Sequence, residues 1–88
     1  MNQDEAEVIA LKALAFLVGE PDRVSRFMRV TGTTPETIHA AAGAPGFLGG
    51  VLEYLRGDQP LLLIFAESAG IAPESIDAAA RFLEDSPG

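Results

Sequence analysis

The chain has no cysteine and no tryptophan. The first absence excludes disulfides, thiolate nucleophiles and cysteine-ligated zinc, so packing alone, or packing with a partner, must hold the fold. Basic residues are scarce, six against thirteen acidic ones, for a net charge of −7. Such a field repels nucleic acid and anionic membranes, so no nucleic-acid partner and no membrane are expected. Long apolar runs are missing as well. The longest, "PLLLIFA" at 60–66, falls far short of the roughly 20 residues that span a bilayer. The start "MNQDEAEVIA" lacks the basic head and apolar stretch of a secretion signal. Together these absences point to a soluble cytoplasmic protein. There is no phosphate-binding loop and no dinucleotide glycine fingerprint, and no cofactor is expected.

What is present suits one helical domain over 1–88: 88 residues, of which 48% are apolar, enough to order a chain of this length. A first helix is predicted over about 4–18, with Asp4, Glu5 and Glu7 at its positive end, Leu11, Leu14, Leu17 and Val18 as its apolar face, and Gly19 as its stop. Pro21 suits the first position of a second helix that ends at Gly32, with Val24, Phe27, Met28 and Val30 toward the core. Thr34 and Pro35 open a short third helix over about 35–42. Phe47, Leu48, Val51, Leu52 and Leu55 mark a fourth, closed by Gly57. Gly49 and Gly50 lie inside it, at a cost of ~1 kcal/mol each, and either permit close packing or loosen its first turn. Asp58 is expected to cap the fifth helix. Its Leu61, Leu62, Leu63, Ile64 and Phe65 are apolar on nearly every side, which places it at the centre of the bundle or against a partner. Pro73 opens the sixth helix after Gly70, and 85–88 form a flexible tail. The fold class is therefore all-α, a compact bundle of about six short helices.

The phrase "GTTPETIHAAA" at 32–42 returns as "GIAPESIDAAA" at 70–80. With a shift of 38 residues, 14–42 overlies 52–80 without a gap, and eleven of the 29 positions are identical. Self-similarity of this kind predicts two related three-helix halves. In each, a glycine that tolerates positive φ is followed by a proline that starts the next helix. Gly19, Gly32, Pro35, Gly57, Gly70 and Pro73 are thus read as structural turns.

The stretches "ALAFLVGEPDRVSRF" and "GIAPESIDAA" carry a further message. From about residue 10 to residue 85 the chain resembles a family of short alphaproteobacterial proteins catalogued as a domain of unknown function. The resemblance implies a helical fold and a bacterial cytoplasmic setting. It supplies no catalytic residue.

Candidate sites are few. Arg23, Arg26 and Arg29 form the basic cluster of the second helix and could hold an acidic partner through their fixed donor forks. In the repeat, Arg23 and Arg26 stand where the other half has Leu61 and Ile64, so one copy is expected exposed where the other is buried. A possible apolar interface comprises Tyr54, Leu61, Ile64, Phe65 and Phe82. His39 is the lone histidine and has no evident ligand set or nucleophile beside it. A helix-turn-helix reading would make 47–56 the recognition helix, but Arg56 is its only base. The expectation is a small protein-binding or regulatory module, a monomer or homodimer, whose partner is a protein. A nucleic-acid-binding regulator is the alternative, and a small enzyme ranks last.

Overall fold

The computed structural model describes residues 1–84; the tail expected at 85–88 lies outside the described residues. Six helices follow one another: α1 (Gln3–Val18), α2 (Pro21–Thr31), α3 (Pro35–Ala41), α4 (Pro45–Arg56), α5 (Gln59–Ala69) and α6 (Pro73–Glu84). The described residues contain no strand. The fold class is all-α.

Local chemistry sets the helix ends. The Asn2 side chain accepts from the Glu5 N–H at 2.8 Å, Thr34 from Thr37 at 3.2 Å and Asp58 from Leu61 at 3.2 Å. Each satisfies one of the donors a first turn leaves unpaired. Gly32 and Gly70 take left-handed φ values of 73° and 67°. The residues after them close the same bond: the Thr33 N–H donates to the Met28 carbonyl at 3.1 Å and the Ile71 N–H to the Ala66 carbonyl at 2.9 Å. Both are the six-to-one closure of a glycine-terminated helix. Gly19 and Gly57 end their helices with right-handed backbones instead, at φ −71° and −79°. Helix α4 starts two residues earlier than its first large apolar side chain suggests, because Pro45 occupies its first turn.

Three helices make the centre: α1, α4 and α6 pack mutually, with α2 against α1 and α5 against α4 and α6. The central seam is built from small residues. Ala6, Ala10 and Ala13 of α1 and Ala79 and Ala80 of α6 are fully buried, beside Leu17, Leu48, Val51, Leu52, Leu55 and Ile76. Alanine and glycine let backbones approach closely, so that dispersion contacts come from the helix surfaces themselves. Gly49 belongs to this seam. A methyl group placed on it would stand 3.4 Å from the Leu83 Cβ, whereas one on Gly50 would meet nothing within 4 Å. Gly49 therefore serves close packing, and Gly50 does not.

Three expectations about the core are corrected here. Leu11 and Val18 do not face inward; they lie on the exposed side of α1, because the alanines claim its buried side. Val30 points to solvent, since the core face of α2 is set by Phe27 with Val24 and Met28 partly covered. Finally, α5 is not the bundle centre. It buries Leu62, Phe65 and Ala66 and leaves Leu63 and Ile64 exposed. Its mean hydropathy is high on every side, but only one side has neighbours.

Candidate functional site on the outer face of α2

Helix α2 sets one buried aromatic side chain against exposed charge. Phe27 is buried and packs edge-on against Tyr54 and Phe47, with ring centroids 5.1 and 6.4 Å away and interplanar angles of 83° and 81°. Edge-to-face contact suits the quadrupoles of the rings. Three arginines surround this face, Arg23 at its edge four residues before Phe27 and Arg26 and Arg29 turning progressively away from it, and each has a different environment. Arg23 is half-buried, with its guanidinium carbon 4.0 Å from the centre of the Phe16 ring. Phe16 in turn packs on Phe65 at 5.4 Å. Arg23 thus caps an aromatic pair joining α1 to α5, a cation–π contact that belongs to packing. Arg26 reaches Asp58 at 3.8 Å, with most of its side chain still exposed. An exposed pair at that separation holds weakly. Arg29 lies exposed in the last turn and makes no ion pair among the described residues.

The expected three-arginine cluster is therefore divided: one arginine is structural, one loosely held and one free. Nor is exposure complementary between the halves, because Arg26 and its counterpart Ile64 are both exposed. One turn beyond Arg26 stands Val30, 66% exposed, the most open large apolar side chain among the described residues. It borders a shallow depression with Arg26, Glu53, Tyr54, Gly57 and Asp58. The periodicity of α2 does not signal this: Val30 follows Arg26 by four residues but also follows the buried Phe27 by three, so spacing alone puts it at the border of the packed face.

The expected apolar interface does not assemble as one surface. Phe65 is fully buried, Tyr54, Leu61 and Phe82 are partly covered by the core, and only Ile64 of the five is exposed. His39 lies exposed beside Val18, Val24, Met28, Pro35 and Ile38. No three His, Asp or Glu side chains converge to hold a metal ion among the described residues. Arg56, the one base of α4, is hydrogen-bonded to Glu53 and lies 3.2 Å from Asp77. The hydrogen bond to Glu53 is the chief influence raising its affinity for its proton. Helix α4 itself buries Leu48, Gly49, Val51, Leu52 and Leu55. No helix among the described residues is long and apolar enough to cross a membrane.

The described residues thus form an all-helical domain with arginine and valine exposed on α2 and no group of three side chains placed to hold a metal ion. The chain belongs to the family described as "Protein of unknown function (DUF3572)", whose model matches residues 3–86. No curated protein and no solved structure matches it significantly.

Proposed function

We propose that this protein is a small protein-binding module that docks an acidic segment with an apolar tip on the outer face of α2. The observation that supports this reading is the exposed Val30 beside the unpaired Arg29 and the loosely held Arg26. An apolar side chain seated against Val30 and Tyr54 would lose its hydration, while carboxylates beside it would take the arginine donors. Arg23 stays with Phe16 and takes no part.

The cytoplasmic setting and regulatory role are parts of the same proposal. The nucleic-acid alternative finds less support. The helix it would use for recognition is the one most deeply packed, and its single base already faces two carboxylates. A small enzyme built around His39 finds none.

Capture of native complexes from bacterial lysate, with wild type run beside Arg26→Glu/Arg29→Glu and Val30→Glu proteins, tests the reading. A stoichiometric partner lost from both variants, with helicity unchanged, supports it. A partner bound equally by all three proteins refutes the α2 face. Absence of any reproducible stoichiometric partner refutes the module.

A further inference from the structure

Helix α1 is apolar on two opposite sides. Its buried stripe is Ala6, Ala10, Ala13 and Leu17. Its outer stripe is Asp4, Val8, Leu11, Ala15 and Val18, with Val8, Leu11 and Val18 exposed by 49%, 44% and 46%. The outer spacing of four, three, four and three residues is a heptad seam, the pattern that one helix offers to another. Two charged residues flank it on one edge, seven residues apart: Glu5 and Lys12. Lys12 is the only lysine in the chain. Neither forms an ion pair among the described residues, and their spacing keeps them from reaching each other on one helix.

We propose that this seam binds a second copy of the chain, with the two α1 helices antiparallel and related by a twofold axis. In that register Val8 faces Leu11 of the second copy, and Asp4 faces the small Ala15. The flanking positions then bring Glu5 of each copy to Lys12 of the other. The twofold axis makes that pair twice, as an isologous interface requires. A parallel arrangement would instead set Asp4 against Asp4 in the seam and align the helix dipoles, and it would turn Lys12 toward Glu7 while giving Glu5 no opposite charge. Charge complementarity therefore selects both the occupant and its direction. The contact is small. A 16-residue helix is only about 24 Å long, and one such pair buries less than the ~800 Å² per partner of a stable complex. Association at about 10–100 μM is expected. This surface is distinct from the α2 face and does not rest on it.

Sedimentation equilibrium of the full chain tests the proposal, over protein concentrations from ~10 μM to ~1 mM. The wild-type mass rises from 9.2 kDa toward twice that value. Lys12→Glu and Glu5→Lys each weaken association about tenfold, because two charge pairs become repulsive together. Glu5→Lys also makes the chain less acidic, so its loss cannot come from general repulsion. The double swap Glu5→Lys/Lys12→Glu returns the affinity to within about threefold of wild type. Far-UV circular dichroism of each variant confirms that α1 is intact. The cysteine-free background gives a test of register. Air oxidation of Val8→Cys mixed in equal amount with Leu11→Cys yields the mixed disulfide well beyond the roughly twofold excess over either homodisulfide that random pairing gives. A wild type that stays monomeric throughout, a double swap that does not restore association, or mixed disulfide at or below its random share would each overturn the proposal.

Discussion

Gly49 and Gly50 are neighbours in one helix, and the same substitution should act differently on them. Each glycine costs α4 ~1 kcal/mol relative to alanine, through backbone entropy. At Gly50 a new methyl group meets nothing within 4 Å, so Gly50→Ala should recover nearly the whole amount. For a domain of this size that raises Tm by about 4–8 °C. At Gly49 the methyl group would stand 3.4 Å from the Leu83 Cβ, with the Leu83 backbone at 3.8 Å. Those atoms move only if α6 moves. Gly49→Ala should therefore keep less than half of the helical gain, and Gly49→Leu should lose about 1–3 kcal/mol by prising α4 from α6. Thermal and urea unfolding of the three variants beside wild type gives the order Gly50→Ala, then Gly49→Ala close to wild type, then Gly49→Leu. A Gly49→Leu protein as stable as wild type would refute the close α4–α6 seam. A destabilised Gly50→Ala protein would refute the assignment of Gly50 to open helix surface.

Other perturbations follow from the same geometry. Gly32→Ala and Gly70→Ala should each cost about 1–2 kcal/mol in urea unfolding, because alanine is strained at positive φ, while the two side chains gain no contact in return. Phe27→Ala should cost about 3–5 kcal/mol and release both Tyr54 and Phe47 from their edge-on contacts, the first visible as a change in tyrosine near-UV dichroism. Asp58→Ala should lower stability by ~1 kcal/mol through loss of the α5 cap, whereas Arg26→Ala should cost under ~0.5 kcal/mol because its pair with Asp58 is long and exposed. Equal losses from the two would make the ion pair, and not the cap, the main role of Asp58.

The helix ends were legible because their chemistry is local. Thr34, Asp58, Pro35 and Pro73 act on the turn that contains them, and Gly32 and Gly70 on the bonds directly behind them. Which face each helix buries was less legible. In α2 the spacing of Val30 is ambiguous, three residues after the buried Phe27 and four after the exposed Arg26, and its hydrophobicity favours the wrong side. In α1 no single face stands out, because alanines occupy one side and larger side chains the other. Hydrophobicity alone favours Leu11 and Val18 for the core, but close approach to α6 favours the alanines. The candidate site was legible only as a set of three arginines. That Phe16 takes Arg23 and that Asp58 approaches Arg26 are contacts made with residues outside α2, which periodicity within α2 cannot reveal.

The same preference for small residues explains both the centre of the fold and what remains outside it. A chain of this length buries only about two-thirds of its unfolded surface, so it cannot enclose every apolar side chain it carries. Here the enclosed volume goes to three closely packed helices, α1, α4 and α6, whose contact depends on alanine and Gly49. Val8, Leu11, Val18, Val30, Leu63 and Ile64 are left at the surface. Exposed apolar residues scattered singly are ordinary. Val30 differs because free arginine donors accompany it, and the α1 set differs because it repeats at heptad spacing beside an unpaired glutamate and lysine. Leu63 and Ile64 have a single acidic neighbour, Glu67, which lines a depression with Leu63, and neither a basic donor nor a heptad repeat accompanies them. Basic donors on α2, and opposite charges flanking a heptad seam on α1, distinguish the two faces proposed for recognition from the one on α5 that is only uncovered.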